Sequence, residues 1–233
     1  KVLGHAEQIE RYFERYRTRP QRSFFAITEP HVGSDATAGT SVLADAPDGR
    51  RLTAHKKLVG SAAQADFGLI FARDARSNSH KLVMCDAAAI AGMRIDRLPM
   101  QGLAGADLTE IRVDAMPVAD EMILGHGLNR GLRDGFFAMN SVFDRYRPVV
   151  TAMAIGSARG LLNDLVMMGV APRRLESRLL RHAVFLDRLE EIALAYEAGR
   201  PKVHETSRLK LDAIAFLDDV VGAVFGLLSA IDI

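Results

Sequence analysis

Tryptophan is absent from these 233 residues, and cysteine occurs once, as Cys85 in the apolar run LVMC. A single thiol excludes an intrachain disulfide and a cysteine-based metal cluster, and it fits a reducing cytoplasm. Charge of one sign is lacking as well. Thirty Lys plus Arg against 29 Asp plus Glu leave a formal net charge of +1, so bulk charge gives no ground for nucleic acid or an anionic membrane as partner. Nor is there an uninterrupted hydrophobic run of membrane-spanning length. The longest candidate, VVGAVFGLLSAIDI, is short and broken by Gly and Asp, and no basic stretch leads into an apolar leader. What is present is 48% hydrophobic residues, enough to build a core for one large or two small domains. The chain starts on Lys1 and ends on Ile233 in an apolar run without a stop signal, and is expected to be a fragment or the ordered part of a longer protein.

Two periodicities divide the sequence. Between Phe24 and about Val118, short apolar runs (FFAIT, SVLAD, RRLTAHKKLV, FGLIFAR, HKLVMCDA, MRIDRL, LTEIRVDA) alternate with turn signals such as Pro47-Asp48-Gly49 and Arg76-Ser77-Asn78-Ser79. Six or seven strands at that spacing predict a compact β barrel or sandwich. From Leu128 apolar residues recur at three and four, through Phe136, Met139, Phe143, Val150, Met153 and Ile155. The pattern repeats over Leu175–Tyr196, stopped by Gly199-Arg200-Pro201, and over Ser207–Ile231. Three amphipathic helices cannot bury their stripes singly, so they are expected to pack on one another, on the β half or on another subunit. HAEQIERYFERYR reads as a short helix ending near Pro20. The expected organisation is α+β: a helix end over 1–22, a β domain over 23–126 and a C-terminal helical domain over 127–233.

The stretch FFAITEPHVGSDATAG leaves an apolar run for Thr28-Glu29-Pro30 and then Gly33-Ser34-Asp35. Turn chemistry alone accounts for such residues; a loop of hydroxyls and backbone N–H groups around a polar cofactor accounts for them equally. In order along the chain, HAEQIERYF, Phe25 to Asp35, His55-Lys56-Lys57 through Ala65-Asp66, Phe71-Ala72-Arg73, Ile123-Leu124-Gly125, and Phe143 to Val150 followed by Gly156 resemble the motifs of the acyl-CoA dehydrogenase family. The resemblance implies the family's middle β domain and most of its C-terminal helical bundle.

It also implies a bound FAD. Phe25, Ile27 and Thr28 would lie along the flavin ring, and Gly33 and Ser34 at the dinucleotide phosphates; Leu58 and Gly60 stand where the family has Trp and Thr beside the flavin, and Ser61 could supply a hydroxyl one residue later. Arg174 would be the surviving phosphate partner of a neighbouring subunit's FAD. Ser34, Asp144 and Arg147 would bind substrate. Asp144 and Arg147, three apart, equally suit an intrahelical ion pair. No catalytic residue is assigned: the family's base is a carboxylate, and the aligned position on the Asp-x-x-Arg helix is Tyr146, whose ordinary pKa of about 10 suits it poorly to that task. His31 reads as a loop residue, His182 as a packing residue without a second ligand at metal spacing, and the methionines as core filler.

The function implied is dehydrogenation of an acyl thioester, on coenzyme A or an acyl carrier protein, between carbons 2 and 3, with an electron-transferring flavoprotein as a possible acceptor and a homodimer or homotetramer as the assembly. The alternatives are a flavin oxidase or monooxygenase of the same fold, or a degenerate member acting as a structural partner. The Arg173, Arg174, Arg178 and Arg181 run could dock an acidic carrier or form a solvated face.

Overall fold

The computed structural model describes residues 4–126, 134–200 and 203–229. It divides into two compact units, one through Met139 and one from Asn140. The expected helix start at Leu128, the domain boundary at 126/127 and the helix end at Ile231 adjoin or lie outside the described residues.

In the first unit, helix α1 (Ala6–Thr18) is followed by strands β1 (Ser23–Ala26), β2 (Val42–Ala46), β3 (Gly49–Gly60), β4 (Phe67–Asp74) and β5 (His80–Asp86). A short helix α2 (Ala87–Ala91), β6 (Arg94–Arg97) and β7 (Leu108–Val118) complete it. The seven strands coincide with the seven apolar runs, because alternation and turn chemistry are local properties of the chain. Pro47 and Asp48 connect the β2–β3 hairpin, in which Ala46 pairs with Gly49, and Asn78, at φ +52°, turns β4 into β5.

The strands form one mixed sheet in the order β1-β4-β2-β3-β7-β6, with β5 on the other edge of β4. Beyond β7, Ile123 bridges Val83 of β5 and Leu124 N–H donates to the Leu82 carbonyl at 3.0 Å, which ties the segment after β7 back to β5. The strands enclose Phe24, Leu43, Leu52, Ile70, Val83, Cys85 and Ile111. Gly68 is required there: a Cβ on it would sit 2.2 Å from the Phe24 ring. Helix α1 docks on this unit through Gln8, whose amide donates to the Glu121 and Ile123 carbonyls at 2.8 and 3.1 Å.

Helix α3 (Asp134–Met167) begins in the first unit and supplies the second with its longer part. Helices α4 (Glu176–Glu197) and α5 (Val203–Leu228) complete the second unit. Ile155, Ala158, Leu162 and Leu165 repeat at three and four on α3, as do Leu209, Ala213, Phe216 and Val220 on α5, and they pack with Phe185 and Ile192 of α4. Over Gly135–Met167, α3 is long and apolar enough to cross a membrane by length and composition. It nevertheless carries Asp144, Arg145, Arg147, Arg159 and Asp164, and one of its sides is packed in the bundle.

Candidate functional site

Strand β1 ends at Ala26, and the chain continues extended for two residues before turning. Thr28 accepts a hydrogen bond from Lys57 N–H at 2.9 Å, which ties this extension to β3. Glu29 and Val32 exchange backbone hydrogen bonds at 2.9 and 3.2 Å around Pro30 and His31, a tight turn suited to the fixed φ of proline. Gly33 and Ser34 follow, both exposed, and Asp35 closes the next turn by accepting from Thr37 N–H and the Thr37 hydroxyl at 3.2 and 2.6 Å.

Beneath this loop lies a buried ion pair. Along β3, Leu52, Ala54 and Lys56 alternate inward, so the lysine occupies a position in phase with the core. It is 1% exposed, and its ammonium donates to Glu29 Oε1 at 2.9 Å and to the Ile27 carbonyl at 3.0 Å. Glu29, 6% exposed, also accepts from Ser41 N–H at 3.0 Å, Thr40 N–H at 2.7 Å and the Thr40 hydroxyl at 2.8 Å. Burial alone would raise the Glu29 carboxyl. The hydrogen bonds from Ser41, Lys56 and Thr40, together with the Lys56 charge, outweigh it and lower the pKa to about 2. Burial pulls Lys56 below its ordinary value, and the bond and charge of Glu29 work against that pull.

After Lys56 the β3–β7 register slips, and Val59 resumes pairing with Thr109. Within this irregularity Leu58 adopts φ +60° and stands 58% exposed, an apolar side chain held outward beside the residue that binds the Thr28 carbonyl. Left-handed backbone at a leucine is strained and uncommon. Gly60 pairs with Leu108, and Ser61, at φ +61°, donates its N–H to the Ala106 and Asp107 carbonyls at 3.3 and 3.0 Å. Among the described residues the Thr28, Ser34 and Ser61 hydroxyls have no protein hydrogen-bond partner. Phe25 is half-buried on β1 and Ile27 is in the core.

These features fit a flavin. Uncharged hydroxyl donors and a raised apolar side chain suit a planar ring with a polar edge, and an exposed Gly-Ser loop leaves room for a phosphate. The residues that would hold FAD from the first unit are Thr28, Ser34, Leu58 and Ser61, with the backbone of Ile27, Gly33 and Gly60. At the opposite end of β3 an open cleft of about 750 Å³ is lined by Asp45, Asp48, Arg50, Arg76 and Asp120. Of its charged residues, Arg76 pairs with Asp45, and Arg50 and Asp48 pair with Asp74 and Arg51 outside the lining.

The remaining expected site residues belong to the second unit. Arg147 Nη1 donates to Asp144 Oδ1 at 2.6 Å, forming the intrahelical pair that the spacing allowed, and the Arg147 guanidinium lies 5.6 Å from the Phe143 ring centroid. Pro148 has no N–H to offer the Asp144 carbonyl, a break in the α3 ladder at this pair. Tyr146 is exposed. The Tyr196 hydroxyl is buried without a partner among the described residues, and burial and the nearby Asp144 raise its pKa; sequence reading gave it no role. Arg174 is exposed in the turn before α4. Arg178 and Arg181 are engaged with Asp219 at 3.1 to 3.2 Å, which removes half of the four-arginine run from a free basic patch. Among the described residues no cluster of His, Cys, Asp and Glu could hold a metal ion.

In the sequence Glu29 and Lys56 stand only as parts of the motifs, with no role of their own. The signal available was the phase of β3, which puts a lysine inward after Leu52 and Ala54.

A mixed seven-stranded sheet followed by a helical unit is the α+β fold of acyl-CoA dehydrogenases. An acyl-CoA dehydrogenase from Geobacillus kaustophilus superposes with a TM-score of 0.83 at 19% identity, over 97% of this chain and 63% of that one. Residues 24–116 match the acyl-CoA dehydrogenase middle domain. Benzylmalonyl-CoA dehydrogenase of Aromatoleum aromaticum is 26% identical over 212 residues, 90% of this chain and 54% of the relative. Caffeyl-CoA reductase-Etf complex subunit CarC of Acetobacterium woodii is 24% identical over 214 residues, 89% and 54% respectively. The chain carries the middle domain of the acyl-CoA dehydrogenase family, whose members are flavoproteins, and it spans about half the length of the curated relatives it matches.

Proposed function

We propose that the whole protein is an FAD-dependent oxidoreductase that dehydrogenates an acyl thioester, on coenzyme A or an acyl carrier protein, between carbons 2 and 3. The observation that carries this reading is the Thr28 edge: an unpartnered hydroxyl beside an outward Leu58, inside the segment that matches the middle domain. FAD supplies a two-electron acceptor for the hydride of carbon 3, while a carboxylate base takes the proton of carbon 2. Thr28 and the adjoining backbone would donate to the ring edge, which would favour the more negative reduced state. Ser34 and the open Gly33 backbone would receive the phosphates, and Asp144 and Arg147 would bind the carrier arm of the substrate. Tyr146 is poorly suited to be the base, and the base is unassigned.

An electron-transferring flavoprotein as acceptor is supported by the relative named as a subunit of an Etf complex. Homo-oligomerisation is supported by exposed apolar residues on the helices, among them Leu180, Val184, Leu211 and Phe225. A cytoplasmic location is part of the same reading. The second reading, a non-catalytic family member, rests on Leu58 and Tyr146 at positions where the family resemblance expects other side chains.

The test is the visible spectrum of the full-length protein purified without added cofactor, followed anaerobically through a panel of acyl-CoA thioesters. A bound-flavin spectrum bleached by one thioester is expected. A colourless protein that cannot be reconstituted with FAD refutes the first reading in favour of the second.

A further inference from the structure

We propose that Lys56 and Glu29 together are a positioning device for the Thr28 edge: the Lys56 ammonium aims the Ile27–Thr28 peptide, and the Glu29 carboxylate anchors the far end of the Gly33–Ser34 loop. The inference rests on the flavin reading for its functional consequence, but its structural content is independent of it. The described residues contain no cis peptide bond. In a trans peptide the carbonyl of one residue and the N–H of the next point in opposite directions. Because Lys56 Nζ holds the Ile27 carbonyl from the buried side at 3.0 Å, the Thr28 N–H is directed away from it.

The other half of the device is the carboxylate. Through Thr40 N–H, the Thr40 hydroxyl and Ser41 N–H, Glu29 ties down the segment that returns from Gly33 and Ser34 into β2. The approach is so close that a Cβ on Gly39 would lie 2.8 Å from Glu29 Oε1. One ion pair therefore fixes both borders of the loop. Packing does not require it: the inward positions of β3 before Lys56 are Leu52 and Ala54, and a buried ion pair is often no more stabilising than apolar residues of similar volume. What apolar residues cannot do is hold a carbonyl and two backbone N–H groups in fixed directions.

The experiment compares the full-length wild type with Lys56→Met and with the double variant Lys56→Met/Glu29→Gln. Lys56→Met leaves the Glu29 charge unpaired and is expected to lower Tm. The double variant is neutral, and its Tm recovers. Two readouts separate positioning from stability. The first is amide hydrogen exchange in the apoprotein: the double variant exchanges faster over residues 27–29, while β4 and β5 keep wild-type protection. The second is flavin binding, with the double variant weaker by ~10-fold, the worth of one well-aimed hydrogen bond, and with a lower midpoint potential. Unchanged exchange over 27–29 in the double variant overturns the positioning role. Faster exchange with wild-type FAD affinity and potential overturns its link to the flavin. A wild type that binds no FAD refutes the proposed function while the exchange comparison still decides the structural claim.

Discussion

Lowering the pH through the carboxylate range tests the Glu29 environment directly. A Glu whose ordinary value is 4.5 and whose folded value is about 2 binds its proton more readily in the unfolded chain, so it contributes stability above 4.5 that disappears as pH falls towards 2. At ~1.4 kcal/mol per pH unit that fall is worth about 3 kcal/mol. Other carboxylates titrate in the same window, Asp74 and Glu110 among them, both lowered by hydrogen-bonding partners of their own. The measurement is therefore a difference. Urea unfolding free energy is determined from pH 6 to pH 2 for the wild type and for Glu29→Gln, which keeps an acceptor oxygen but has no proton to bind. Glu29→Gln is expected to be less stable at pH 6 by roughly 3 kcal/mol, since it also leaves the Lys56 charge without its partner. The gap closes as the wild type protonates Glu29. Parallel curves across the whole range would refute the assignment of the depressed value to Glu29.

Three further outcomes follow from the same geometry. Gly39→Ala pushes a Cβ to 2.8 Å from Glu29 Oε1 and is expected to destabilise by roughly 1–3 kcal/mol, an overpacking cost read by urea unfolding; an unchanged midpoint would mean the loop relaxes freely. Cys85 is buried, with its thiol pushed up to about 12, so a thiol reagent should label it only on unfolding; rapid labelling of native protein would contradict the sheet core. Thr28→Ala removes a donor that has no partner among the described residues and is expected to weaken FAD binding by up to ~10-fold or lower its potential while leaving the unfolding free energy within ~0.5 kcal/mol of wild type. An unchanged flavin spectrum, affinity and potential would remove Thr28 from the ring edge.

Much of the fold was legible before any coordinates. The seven apolar runs became the seven strands, and the turns at Pro47-Asp48-Gly49 and around Asn78 formed as expected, because such signals act over a few residues. The periodicity around Leu175–Tyr196 became α4, Glu176–Glu197, for the same reason. The site was legible only in outline. Leu58 shows the limit: nothing in HKKLVGS announces a strained leucine turned outward, because the β3–β7 register slip that produces it depends on the partner strand. The four-arginine run shows it again. Composition gave a candidate basic face, but Arg178 and Arg181 find Asp219 some 40 residues away on α5.

What the sequence determined by itself is the division into strand-rich and helix-rich halves, the likeness to the acyl-CoA dehydrogenase middle domain, and the hydroxyl and glycine content of the Thr28–Ser34 loop. These are carried by local periodicity, turn chemistry and ordered motifs. Only the tertiary structure decided that Lys56 is a buried clamp rather than a surface charge. Its partners, the Ile27 carbonyl and Glu29, lie 29 and 27 residues away and meet it because the extension of β1 runs beside β3. Burial of charge is favourable only when such partners arrive together, and their arrival is a property of the whole sheet rather than of any segment of the chain.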